Sequence, residues 1–329
     1  MTALRRRVVM VSLLCLTTRA FAADAQQAPV KRLGILNADS EGPPGHRDTF
    51  RDILSELGYT YGRNLIVDER WSDGRNERFP SLAAELVALK PDVILADSTP
   101  AVIAVMRATT TIPIVIVNVA DPVGSGLVAS LARPGGNVTG ATDFGTELAE
   151  KAMDLMHVLV PKATRIAVLM TDDEPVILFR LKGIQDAARK IGLTVLPIMA
   201  KSPEDFEKAF ASMAEKSAQA LILLGGGQTR TDRNRDKIIE LAARTKLPTV
   251  YLARWWVDAG GLLSYGQNRL QKWTFAATYV DKVLKGAKPA DLPIEQPTTF
   301  DLVINVKTAK ALGLTIPQPL LLRATDVIQ

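Results

Sequence analysis

The 329 residues include one cysteine and two histidines, the side chains most used for nucleophilic, redox and transition-metal chemistry. Cys15 sits in the N-terminal leader, so the chain without its leader has none. That excludes cysteine catalysis and cysteine-bound metal, and it suits an oxidising compartment where no disulfide is needed. His46 and His157 stand far apart in helical patterns, and no HExxH, GxSxG or Ser/His/Asp order accompanies them. GxGxxG is also missing. Gly225-Gly226-Gly227 follows an apolar strand but lacks the Lys-Ser/Thr of a phosphate loop. Asp172-Asp173-Glu174 precedes a helix, where carboxylates serve the helix dipole, so neither a metal nor a cofactor is expected. Past the leader, no apolar run reaches the roughly 18 residues of a membrane span.

The leader itself has three ordered parts. Arg5, Arg6 and Arg7 are a basic start, Val8 to Leu16 an apolar run, and Ala20-Phe21-Ala22 a small-x-small cleavage site. Residues 1–22 therefore read as an export signal and place the protein in the periplasm. Leu14 precedes Cys15 where a lipidation site wants a small residue. Cleavage removes four arginines and no acid, taking the net charge from +5 to +1. The basic balance belongs to the leader, so it gives no support to nucleic-acid binding. The chain of 329 less 22 residues is about right for two domains.

What remains runs through one pattern twice. Strand, helix, strand, helix, strand, helix, strand is legible from Lys31 to Val119 and again from Thr164 to Ala253. The strands are continuous apolar runs rich in β-branched residues, such as DVILA at 92–96, PIVIVNV at 113–119 and ALILL at 220–224. Such runs are buried on both faces, as in a parallel sheet with helices outside. The fold class is α/β: two similar doubly wound lobes with a cleft between them. Asn137 to Phe144, Gly260 to Gly266 and Phe300 to Val306 are candidate crossings, so a three-segment hinge is expected. Residues 23–140 plus 264–295 make lobe 1, and residues 141–263 plus 296–329 make lobe 2.

In open parallel sheets ligands sit beyond the carboxyl ends of the strands. That rule selects Ser40, Asp97, Ser98, Thr99 and Asp121 in the first lobe. In the second it selects Asp172, Gln228 and Trp255, with Tyr265 and Phe144 on the crossings. Ser98 and Thr99 before Pro100 either cap a helix or hold a carboxylate on its free N–H groups. Asp121 before Pro122 is either a turn former or an acceptor for an ammonium group. Trp255, Trp256 and Tyr265 are either hinge packing or a flat apolar wall. Three functions are open on these grounds: a binding protein that closes on a small ligand, a sensor-type binding subunit, and an enzyme. The enzyme would have to draw its acid/base pair from Asp121 and Asp172.

Several segments resemble one family. They are Phe50 to Tyr59 (FRDILSELGY), Glu69 to Arg75 (ERWSDGR), Thr111 to Val115 (TIPIV), Asp121 to Gly140 (DPVGSGLVASLARPGGNVTG), Tyr279 to Pro293 (YVDKVLKGAKPADLP) and Ile304 to Pro317 (INVKTAKALGLTIP). Together they make the chain similar to the periplasmic substrate-binding proteins of ABC transporters, in the family with tryptophan- and tyrosine-binding members. The resemblance implies a type I periplasmic-binding fold, three hinge crossings, no catalysis, and delivery of an amino acid, aromatic or related small molecule to a membrane permease; a mobile two-lobe clamp can do this as a monomer. It implies a ligand-carboxylate site at Ser98 and Thr99. Many members of the family it resembles carry a small residue such as glycine at position 97; Asp97 adds a carboxylate that would repel an acidic ligand there.

Overall fold

Two apolar sheets organise the chain. The computed structural model describes residues 29–40, 46–143, 145–171 and 175–329. The expected leader, Phe144 and Asp172 lie outside the described residues. Lys31–Gln329 forms one compact unit.

The first lobe comprises β1 (Lys31–Asn37), α1 (His46–Glu56), β2 (Leu65–Trp71), α2 (Phe79–Ala88), β3 (Val93–Asp97), α3 (Thr99–Ala108), β4 (Ile114–Ala120) and β5 (Val138–Asp143). Its strands pair in parallel in the order β2-β1-β3-β4-β5. Ile94, Leu95, Val115 and Ile116 are at most 1% exposed, which is why these stretches read as unbroken apolar runs. Phe79, Leu82 and Leu86 of α2 and Val102 and Val105 of α3 cover one face; Phe50 and Leu54 of α1 help cover the other.

The second lobe begins with α4 (Gly145–Leu159), β6 (Arg165–Met170), α5 (Pro175–Lys190), β7 (Thr194–Met199), α6 (Phe206–Glu215), β8 (Ala220–Gly225), α7 (Asp232–Arg244), β9 (Thr249–Tyr251), α8 (Arg254–Asp258) and β10 (Leu263–Gln267). It closes with α9 (Arg269–Leu284), which returns to the first sheet, then β11 (Phe300–Asn305), α10 (Val306–Ala311), α11 (Gln318–Arg323) and β12 (Asp326–Ile328). The sheet order is β12-β11-β10-β9-β8-β6-β7. The core order β7-β6-β8-β9 repeats β2-β1-β3-β4, so the doubled pattern in the sequence is a doubled topology. β11 runs antiparallel to β10, an exception to the otherwise parallel pairing that the crossings introduce.

The chain passes between the sheets three times. Glu295 lies beside β5, donating to the Gly140 carbonyl at 2.9 Å and accepting from the Thr142 N–H at 3.0 Å. Asn268 donates from its backbone to Thr299 at 3.0 Å, tying the second crossing to the third. β5 stays in the first sheet through Asp143, paired with Ala120, so residues 141–143 belong to the first lobe, not to the second as expected. Residues 264–267 belong to the second sheet, because β10 pairs with β11 from Leu263 to Gln267. Helix α4 is missing from the two-array reading, which resumes at Thr164. It buries Ala149, Ala152, Met153 and Met156 under the second sheet. Among the described residues no helix is long and apolar enough to cross a membrane.

Candidate ligand cleft

In the first sheet the strand order reverses between β1 and β3, the point where such sheets bind ligands. Four side chains form a row there, one from each neighbouring strand. Asn37 is paired with Trp71 at the end of β2. Asp97 follows Ala96, which is paired with Leu36, so Asp97 stands beside Asn37. Asp97 is paired in turn with Val117, and Asn118 comes next. Asn118 Nδ2 donates to Asp97 Oδ1 at 2.6 Å. The pairing of β4 with β5 is irregular between Ile116 and Val119, and Asn118 takes a left-handed φ of 52°. This local kink re-aims the Asn118 amide. Asp97 is 3% exposed and Asn37 is 8% exposed, and Asn37 Nδ2 has no hydrogen-bond partner among the described residues.

Behind the row lies a chamber of about 30 Å³, lined by Tyr61, Glu69, Arg51 and Trp273 as well as Trp71, Asn37 and Asp97. It is large enough for about one or two waters. Burial, aided by Glu69 and opposed by the Arg51 guanidinium over the ring, pushes the Tyr61 hydroxyl up to about 12. Tyr61 is therefore a neutral group at physiological pH.

In front of the row is a cavity of about 920 Å³ that both lobes line. All four tryptophans of the chain, Trp71, Trp255, Trp256 and Trp273, border it. Two of these rings carry one of the protein's own cations, Arg235 over Trp255 and Lys272 over Trp273, each 4.6 Å from the centroid. Trp256 stacks on Tyr251 at 4.9 Å and meets Trp255 edge-on at 5.3 Å. Five aspartates (39, 97, 143, 232, 258) and five cations (Arg180, Arg233, Arg235, Arg269, Lys272) line the same space. With no excess of either charge, the arrangement suits a small ligand with an apolar plane and balanced polar ends. Among the described residues no group of three potential metal ligands exists.

Two contacts between the lobes stand out among the described residues. A Cβ added to Gly227 would come closer than 3.0 Å to the Gly74 carbonyl, and one added to Gly74 would strike Gly227 likewise. Two glycines, one after β2 and one after β8, thus bring backbone against backbone across the cleft. Near the hinge, Arg180 of α5 reaches back to Asp143 at the end of β5, with N–O distances of 3.1 and 3.3 Å. The two side chains are 15% and 16% exposed. Gly145 faces the Arg180 guanidinium so closely that a Cβ would collide with it.

Of the residues expected from the sequence, Ser40, Asp97, Ser98, Thr99 and Trp255 line the cavity. Ser98 caps α3, its Oγ accepting from the Ala101 N–H at 3.5 Å, and its backbone sits at φ 105°, ψ 153°. That conformation is costly for a side-chain-bearing residue, and such strain concentrates at ligand clamps. Asp121, Gln228 and Tyr265 are not part of the lining. Asp121 Oδ1 accepts from the Gly124 N–H at 2.8 Å in an exposed turn. The Gln228 carbonyl accepts from Asn234 at 2.7 Å. Tyr265 stacks on Phe300 at 5.8 Å within the hinge strands. Asn37, Trp71, Asn118, Arg180 and Trp273 border the cavity without having been singled out from the sequence. The strand-end rule applied to β2 would have found Trp71.

Comparison with known proteins agrees with this geometry. A family model described as ABC transporter substrate binding protein matches residues 40–328. A tyrosine-binding protein of Clostridioides difficile (strain R20291) is 28% identical over 265 residues, which span 80% of this chain and 75% of that protein. The crystal structure of an ABC domain from Streptococcus pneumonia in complex with L-Trp is similar with a TM-score of 0.82 and 28% identity, covering 91% of this chain and 99% of that one. The ligand-free, open structure of a substrate binding protein from Clostridium difficile gives a TM-score of 0.65 at 26% identity, with the same coverage. The two-lobed fold is the periplasmic-binding-protein fold, and the chain belongs to the family of ABC transporter substrate-binding proteins.

Proposed function

We propose that this protein is exported and serves as the solute-binding component of an ABC importer, closing its lobes on an aromatic amino acid and presenting it to a membrane permease. The observation that carries the reading is the gathering of all four tryptophans around one cavity at the carboxyl ends of both sheets. Ligands with a flat apolar body are held by such walls, while a few polar groups fix their orientation. The relatives that bind tyrosine and tryptophan point to the same class. Ser98 and Thr99, at the start of α3, take the ligand carboxylate on their hydroxyls and on the Thr99 N–H at the positive end of the helix. Trp255 closes from the second lobe.

The test is thermal unfolding of protein stripped of carried-over ligand by unfolding and refolding, against amino acids, aromatic acids, nucleosides and purines. A ligand at 100 times its Kd stabilises the folded state by about 2.7 kcal/mol, a shift on the order of 5 °C for a chain of this size. Shifts confined to tyrosine, tryptophan or their analogues support the reading. No shift across the panel refutes it. Export is checked by N-terminal sequencing of the secreted form, which begins at Ala23 if residues 1–22 are removed.

A further inference from the structure

The row at the end of the first sheet asks for a particular ligand group. Asp97 offers a carboxylate that is 3% exposed on the cavity wall. Burying such a charge is unfavourable unless hydrogen bonds or an opposite charge compensate it. Asn118 supplies one hydrogen bond at 2.6 Å. Independently, the neighbouring Asn37 amide is more than nine-tenths buried, lines the cavity and leaves Nδ2 without a hydrogen-bond partner among the described residues. Amide nitrogen and oxygen exchange places by a flip, so Asn37 can turn its oxygen to a donor as readily as its nitrogen to an acceptor. Trp71 ends the row, and an aromatic face attracts a cation electrostatically. A carboxylate, an adaptable amide and an indole converge at the switch point of the sheet. An ammonium group fits the row once Asn37 turns its oxygen toward the cavity: it neutralises Asp97, donates to Asn37 Oδ1 and lies against Trp71. A ligand carboxylate at the same place would face Asp97 with like charge.

We propose that Trp71, Asn37, Asp97 and Asn118 form the specificity subsite of the cleft and that this subsite takes the protonated amine of the ligand. The inference rests on the reading of the cleft as an aromatic amino-acid site and adds what that reading leaves open. The amine, held by Asp97, is the required polar end, and the protein accepts aromatic amines while rejecting aromatic acids. Asn118 acts as a positioning residue that holds the Asp97 carboxylate.

Isothermal titration of ligand-stripped protein with L-tryptophan, L-tyrosine, tryptamine, tyramine and indole-3-propionate tests this. Tryptamine, which lacks only the carboxylate assigned to Ser98 and Thr99, is expected to bind about tenfold to 100-fold more weakly than tryptophan, and indole-3-propionate at least about tenfold more weakly again, because a buried charge left unpaired is penalised the more heavily. Asp97→Asn is expected to weaken tryptamine at least about tenfold. If that variant does not fold, the wild-type comparison of amine with acid still decides. Binding of the amino acids without the amines, or of the acid as tightly as the amines, overturns the subsite and leaves the aromatic amino-acid reading standing. Unchanged tryptamine affinity in a folded Asp97→Asn variant also overturns the subsite. Failure of all five ligands overturns both.

Discussion

Replacing Gly227 with alanine should weaken ligand binding while leaving the ligand-free protein as stable as before. The structure supplies the reason. Gly227 follows β8 in the second lobe, and Gly74 follows β2 in the first. A Cβ at Gly227 would lie within 3.0 Å of the Gly74 carbonyl oxygen, and backbone cannot swing aside as a flexible side chain can. The φ of Gly227 is outside the left-handed range, so alanine adds no strain of its own; Gly74, at φ 70°, would confound the experiment. The contact joins lobes and touches neither core. It exists while the lobes are drawn together, since the two glycines come from different lobes. Over-packing of this kind costs about 1–3 kcal/mol. Charged to the closed state alone, that lowers affinity by about fivefold to 150-fold. Calorimetric titration with L-tryptophan or L-tyrosine gives the affinity, and small-angle scattering with saturating ligand gives the degree of closure. The reasoning is refuted if affinity stays within about twofold of wild type. It is refuted equally if the ligand-free variant loses as much stability as the complex, since the contact would then belong to the resting fold.

Other substitutions report on neighbouring parts of the cleft. Ser98→Gly relieves the strained φ of 105°, a gain of about 1 kcal/mol, and gives up the α3 cap at a cost of only about a few tenths of a kcal/mol. Thermal stability should therefore hold within about 1 kcal/mol while amino-acid affinity falls at least about tenfold; a stability loss without an affinity loss would make Ser98 a mere cap. Arg180→Met strands Asp143 at 16% exposure, and removal of one partner from such a pair costs about 3 kcal/mol, read by urea unfolding beside the Arg180→Met/Asp143→Leu double variant, which should recover part of the loss. Tyr61 is held at about 12 against an ordinary value of 10, so its contribution to stability is complete below pH 10 and is lost as pH rises toward 12. Melting temperature should fall across that window, and Tyr61→Phe should reduce the fall.

The fold was legible where burial on both sides of a strand forced a run of apolar residues. Ile94 and Leu95 face opposite helical layers, and neither layer tolerates a polar side chain, so the alternation that marks an exposed sheet disappears. The helices that pack on those sheets carry the complementary period, and the doubled order of strands and helices follows. The crossings were harder. Whether Thr142 and Asp143 belong to one lobe or the other depends on pairing with Val119 and Ala120 and on the Glu295 segment more than 150 residues away. No local pattern encodes those partners. Helices α8, α10 and α11 span five or six residues each, too short to show a period.

The site follows the same division. Ser98, Thr99 and Trp255 could be read because a strand end and a helix start are local events. The row Trp71, Asn37, Asp97, Asn118 could not, since it exists only in the register of four strands. Shifting β2 by one residue against β1 would turn Trp71 to the opposite face of the sheet, because successive side chains alternate. Asn118 reaches Asp97 only through the irregularity between Ile116 and Val119 and a positive φ that few asparagines adopt. Asp97 alone is ambiguous in the sequence: beside a helix start it reads as a charge that repels an anion. Set beside Asn37 and Trp71 it becomes an acceptor with a defined place for a cation. The determinant of ligand choice is thus the alignment of residues 21 to 60 positions apart in the chain, held by hydrogen bonds that carry no side-chain information.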